Sequence, residues 1–188
     1  MRDADVLNVG STSLIGRLIR RFTGGKYNHT AMMLRLHAGR YAYLKNIRRV
    51  ELPKAWIGRW CVVEADWRVQ VKLWDDYVQR NANLALGSYG PFIEAQRLDI
   101  IDEALNEVGG GYSFRLLLRH GIDKLMGTNL KNGMDPDDKI CSKLVGMSYG
   151  KAGYYKWNDK SAHEANPTDM WIEQQKPGWD VYWRKDIA

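Results

Sequence analysis

An α+β fold, with a small and mostly antiparallel sheet packed on helices, is predicted for this sequence by two observations. Strand-like runs crowd the first half of the chain, and helical periodicity takes over after residue 90. Segregation of strands from helices marks an α+β domain. The second is that His29 to Leu36 is apolar enough for a buried strand and is followed by a turn and a further apolar run, the pattern of an antiparallel pair.

Taken in order, Asp5 to Val9 reads as a strand and Ser11 to Phe22 as a helix, with Leu14, Ile15, Leu18, Ile19 and Phe22 at helical spacing and Thr23-Gly24-Gly25 as its stop. His29 to Leu36 is apolar enough for a buried strand. His37-Ala38-Gly39-Arg40 then reads as a turn into Tyr41 to Leu44, which makes a hairpin. Trp60 to Ala65, Val69 to Leu73 and Asn83 to Leu86 are further strands, with a helical turn from Trp74 to Arg80. From Pro91 a helix presents Leu98, Ile101, Leu105 and Val108 on one face and stops at Gly109-Gly110-Gly111. A second helix over Ser113 to Met126, a polar loop over Gly127 to Lys139 and a short helix over Ile140 to Tyr149 follow. Pro167 opens one more helix, and Trp179 to Arg184 forms the last strand.

At 188 residues the chain is expected to form a single domain, 1–188. Its eight tryptophans and apolar content exclude a disordered chain. No stretch approaches the roughly 20 apolar residues of a membrane span, and Met1-Arg2-Asp3-Ala4-Asp5 lacks the flank and apolar run of a signal peptide. Cytoplasmic synthesis is therefore expected, with any action at the cell envelope depending on lysis or on delivery as part of a larger particle. The net charge of +6 favours anionic partners, such as a cell-wall polymer or a lipid surface. Nucleic acid is disfavoured because no binding motif accompanies Arg17, Arg20, Arg21 and Lys26.

Two cysteines, Cys61 and Cys141, are too few for a disulfide scaffold. Cys141 opens a helix, where free backbone N–H groups and the helix dipole stabilise a thiolate. His29, at the start of a strand, is the candidate base. Glu64, a carboxylate within the apolar run Cys61-Val62-Val63-Glu64-Ala65, demands a buried partner and fits as the group that orients the imidazole. Side chains alternate along a strand, so Glu64 and Cys61 point to opposite faces and Cys61 reads as core. Asp66, at the strand end, is the reserve orienting residue.

The stretches Lys26-Tyr27-Asn28-His29-Thr30-Ala31-Met32, Val62-Val63-Glu64-Ala65 and Ile140-Cys141-Ser142-Lys143-Leu144-Val145, in that order, resemble the circularly permuted branch of the NlpC-type papain-like superfamily. That branch includes lecithin:retinol acyltransferase-like proteins. Leu14-Ile15-Gly16 to Phe22-Thr23-Gly24, Gly111-Tyr112-Ser113-Phe114 and Pro167-Thr168-Asp169 extend the resemblance over most of the chain. It implies a permuted papain-like fold and a Cys141–His29–Glu64 triad acting on an amide, ester or thioester, with Tyr27 and Ser142 placed by position at the substrate or the oxyanion. One departure is Lys143, where family members commonly carry an acidic residue.

Three functions follow as alternatives: a thiol hydrolase of the peptidase or amidase type, working on bacterial cell-wall peptides; a lipid acyltransferase or thiol esterase with the same triad; and an inactive binding module of the same fold. No metal site is expected, since the chain lacks C-x-x-C and H-E-x-x-H spacings, and Asp135, Asp137 and Asp138 lack the Gly and Glu of a calcium loop. No cofactor is implied. His37, His120 and His163 read as structural or surface residues, and Trp157, Trp171, Trp179 and Trp183 as core in preference to a sugar or lipid platform.

Overall fold

A computed structural model describes residues 1–13, 16–17, 20–21, 24–81, 83–110 and 141–185 of the chain. Six strands form one sheet: β1 (Val6–Gly10), β2 (His29–Arg35), β3 (Trp60–Ala65), β4 (Val69–Leu73), β5 (Asn83–Tyr89) and β6 (Trp179–Lys185). Their spatial order is β4-β3-β2-β1-β5-β6, and every neighbouring pair is antiparallel. Five described helices accompany the sheet: α1 (Ala38–Asn46), α2 (Trp74–Arg80), α3 (Glu94–Asn106), α4 (Cys141–Lys151) and α5 (Pro167–Glu173). The α+β class with an antiparallel sheet is therefore observed.

Alternation of side chains divides the core in two. On one face Val6, Met32, Leu34, Cys61, Val63 and Val71 pack beneath Ile100, Ile101 and Leu105 of α3 and Leu144, Val145 and Tyr149 of α4. On the other, Leu7, Val9, Ala31, Met33, Val62, Leu84 and Leu86 form a smaller cluster closed by Tyr77 of α2, with Trp74 and Trp183 packed against it. Glu64 belongs to this second face by parity, and so does His29 at the first position of β2.

Two expectations are corrected. The segment after β2 is the helix α1 and not the returning strand of a hairpin. His37 is its N-cap, its ring accepting from the Arg40 backbone N–H, and the buried residues Arg40 and Leu44 stand four apart, a helical period. In α3 the buried row is Arg97, Ile100, Ile101, Ala104 and Leu105, whereas Leu98 is 38% exposed. An apolar stripe counts Leu98 and passes over Arg97, yet the Arg97 guanidinium turns inward, bonding Asp5 at 3.3 Å, the Ser88 hydroxyl at 3.1 Å and the Tyr89 carbonyl at 2.6 Å.

Residues 16, 17, 20 and 21 are helical, as the early helix requires. The expected helix over Ser113 to Met126, the loop over Gly127 to Lys139 and His120 lie outside the described residues. Trp157 is fully buried within an aromatic cluster that includes Tyr149, Tyr154 and Trp179, so it fills core. No helix among the described residues is long and apolar enough to cross a membrane.

Candidate active site

The sheet brings together three residues that are far apart in the chain. In the β2–β3 ladder Ala31 lies directly opposite Glu64, so His29, two residues earlier on the same face, is the diagonal neighbour of the carboxylate. The result is a hydrogen bond of 2.7 Å between His29 Nε2 and Glu64 Oε2. With Nε2 occupied, Nδ1 is the ring nitrogen left for Cys141, whose side chain is hydrogen-bonded to the imidazole from the first turn of α4. Glu64 and Cys141 are 2% and 5% exposed. The imidazole keeps 17% of its side-chain surface and is the most accessible of the three.

Charge in this group is cooperative. Burial disfavours the Cys141 thiolate, but the charge and hydrogen bond of His29, together with backbone N–H donors at Thr30 and Ser142, hold the thiol below its ordinary range. Burial likewise opposes an imidazolium at His29. The adjoining thiolate and then Glu64 outweigh it, so the imidazole is raised above its usual value. Glu64 is pulled down to about 2 despite burial, first by its bond to His29 and then by Lys72. These directions favour a thiolate–imidazolium pair backed by an ionised carboxylate.

Local structure supplies the thiolate donors. The β2–β3 ladder begins at Ala31 and Glu64, so the Thr30 amide lies beyond its last rung and turns to the sulfur. The Ser142 N–H is one of the donors that the first turn of a helix leaves without an intrahelical partner. Ser142 thus meets the nucleophile through its backbone, while its buried hydroxyl has no hydrogen-bond partner among the described residues. Tyr27 is fully buried, its ring packed edge-on against Trp171 at 4.8 Å. Next to the base, Asn28 accepts from the Ser11 backbone N–H at 2.7 Å and from Arg20 at 3.0 Å, which ties the residues after β1 to the entry of β2.

Cys61 stands apart from this group. It is unpaired and buried on the opposite sheet face, and burial pushes its thiol up to about 12, with Arg59 only partly offsetting the effect. Asp66, the reserve orienting residue, is about half exposed and contacts Lys72 at 3.6 Å. His163 lines an open groove with Tyr155, Lys151 and Glu103 along the C-terminal half of α4.

Sequence reasoning missed the partners on the far side of Glu64. Tyr77 donates its hydroxyl to Oε2 at 2.6 Å, and Lys72 is ion-paired with Oε1. Strand parity held the signal for Lys72. Gln70 lies directly opposite Glu64 and Lys72 opposite Val62, so both must share the carboxylate's face. Tyr77 comes from α2, and nothing in the local pattern tells which side of the sheet that short helix covers.

No family model matches the chain, and no curated protein matches it. Among solved structures it is similar to one titled the crystal structure of metalloprotein yiiX from Escherichia coli O157:H7, DUF1105. The alignment covers 99% of this chain and 98% of that one, with 14% identity and a TM-score of 0.65, a likeness of fold.

Proposed function

We propose that this protein is a thiol hydrolase of the cysteine peptidase or amidase type on a circularly permuted papain-like fold. The observation that carries this reading is the hydrogen-bonded series Cys141, His29, Glu64, with the thiol held down and the imidazole held up. The Cys141 thiolate attacks a carbonyl carbon, and backbone N–H groups at the start of α4 stabilise the oxyanion. His29, protonated in the resting pair, gives its proton to the leaving amine. Water activated by the now neutral imidazole then releases the acyl group. Glu64 keeps the ring in place throughout without taking the proton.

Peptides of a bacterial cell wall are the proposed substrate class. A second reading, acyl transfer or ester hydrolysis on a lipid, is favoured by the exposed Arg17, Arg21 and Lys26 shortly before the base, which suit an anionic surface. The neighbour's title names a metalloprotein. In this chain no group of three or more His, Cys, Asp or Glu among the described residues is placed to hold a metal, and His29 Nε2 is bonded to Glu64, so the steps above are assigned to the chain's own side chains.

The test is labelling with iodoacetamide at pH 6 followed by peptide mapping, then assay of peptide release from purified wall beside ester hydrolysis in anionic vesicles. Fast labelling confined to Cys141, with turnover lost in Cys141→Ser, is the expected result. Labelling of Cys141 no faster than that of Cys61 would refute the reading.

A further inference from the structure

The buried carboxylate behind the imidazole has more partners than orientation of a ring requires. Oε2 accepts from both His29 at 2.7 Å and the Tyr77 hydroxyl at 2.6 Å, while Oε1 is ion-paired with Lys72 and lies 3.5 Å from the Gln70 amide nitrogen. Lys72 leans over the Tyr77 ring, 5.8 Å from its centroid, and its ammonium is shared with Asp66 at 3.6 Å. Four elements converge here: β2 with His29, β3 with Glu64 and Asp66, β4 with Gln70 and Lys72, and α2 with Tyr77, while α4 brings Cys141 from the far side of the ring.

We propose that Lys72 and Tyr77 are positioning residues: Lys72 is the counter-charge that lets Glu64 stay ionised behind a thiolate–imidazolium pair, and Tyr77 locks the carboxylate so that Oε2 faces His29 Nε2. The inference rests on the cysteine-nucleophile reading and adds to it. The charges alternate from Lys72 to Glu64, His29 and Cys141, so the set is neutral as a whole, and an array of alternating sign tolerates burial far better than an isolated charge. Deleting Lys72 leaves one net negative charge, which opposes formation of the thiolate at the other end. Tyr77 acts differently. Burial and the neighbouring Glu64 hold its hydroxyl proton in place, so it is a permanent donor and Glu64 cannot rotate without losing it. Because Lys72 is about one-third exposed, on an edge strand, its removal leaves the core packing intact.

The experiment is the pH profile of Cys141 alkylation by iodoacetamide in the wild type, Lys72→Met, Lys72→Arg and Tyr77→Phe, with thermal melting of each. In Lys72→Met the acid limb should move up by about one pH unit, the scale of one unit charge lost nearby in a partly buried setting, and Lys72→Arg should restore it. Tyr77→Phe should slow the plateau rate about tenfold and mobilise the His29 ring nitrogens in NMR spectra. A purely structural role would lower the melting temperature and leave limb and plateau where they were. Wild-type reactivity as expected, with the limb unmoved in Lys72→Met and the plateau unmoved in Tyr77→Phe, overturns this inference alone. A wild-type Cys141 no more reactive than Cys61 overturns the active-site reading and this inference with it.

Discussion

Two buried carboxylates, Asp5 and Glu64, are satisfied in nearly the same way and yet hold very different chemistry. Each takes a cation and a tyrosine hydroxyl: Arg97 and Tyr182 for Asp5, Lys72 and Tyr77 for Glu64. The remaining donor separates them. Asp5 accepts from the Arg2 backbone N–H at 2.6 Å, a proton that never leaves, whereas Glu64 accepts from an imidazole. The donors around Asp5 are a guanidinium, a backbone amide and a tyrosine hydroxyl whose proton is held by burial and by Asp5 itself, so that node only ties β1 to α3 and β6. The Glu64 node adds an imidazole that can exchange a proton and has a thiol on its other side, the arrangement on which the proposed reactivity rests. Burial and pairing alone do not single out a candidate active site; a mobile proton within the pairing is what distinguishes the Glu64 node.

The comparison breaks most visibly at the thiol. Cys141→Ala should lower total labelling at pH 6 by about three orders of magnitude, because Cys61, pushed up to about 12, has almost no thiolate there. Residual fast labelling in mass-mapped peptides would place the reactive group elsewhere. The next largest effect belongs to the static node. Arg97→Met strands the buried Asp5 charge and should cost about 3–5 kcal/mol in denaturant unfolding, with the acid limb of Cys141 alkylation unmoved. Movement of that limb would show that the two nodes are coupled.

Glu64→Gln sharpens the contrast from the other side. The folded carboxyl lies near 2, against 4.5 for its ordinary value, so its stabilisation is complete above about pH 4.5 and drains away as pH falls toward 2. The variant should be about 2 kcal/mol less stable at neutral pH, lose that part of the acid slope and react more slowly at Cys141. An unchanged slope would mean that the carboxylate is not paired as described. The smallest change is expected for Asp66→Asn, whose carboxylate is about half exposed and 3.6 Å from the shared Lys72: within about 0.5 kcal/mol in stability, with a minor displacement of the acid limb. An effect as large as that of Glu64→Gln would reassign the orienting role.

What was legible in the sequence follows from how local each rule is. Strand parity needs only neighbouring residues, and it set Glu64 and Cys61 on opposite faces, as observed. The helix over Ala38–Asn46 was misread because Tyr41-Ala42-Tyr43-Leu44 suits a strand by composition, while the deciding fact is a cap made by His37 and an inward Arg40 whose guanidinium meets Asp3 at 2.7 Å. The same blindness hid Arg97. A buried cation is revealed only by a carboxylate and carbonyls that other segments deliver: residues 3 and 5 are remote from Arg97 in the chain, and residues 88 and 89, though near in sequence, belong to β5. Lys72 was within reach of parity; Tyr77 required knowledge of which face α2 covers.

The order of the strands carries a temporal consequence. The base and its carboxylate come from strands that pair early in the chain, and the nucleophile follows 112 residues after the base. While the chain is being made from its N-terminus, a ribosome-bound nascent protein can therefore assemble an imidazole and a carboxylate but has no sulfur to activate. The last described strand, β6, pairs with β5 and is made later still. A contact between residues so distant in sequence is among the slower ones to form. On the proposed reading the nascent chain is unarmed until α4 docks, and thiolate activation waits for that long-range contact.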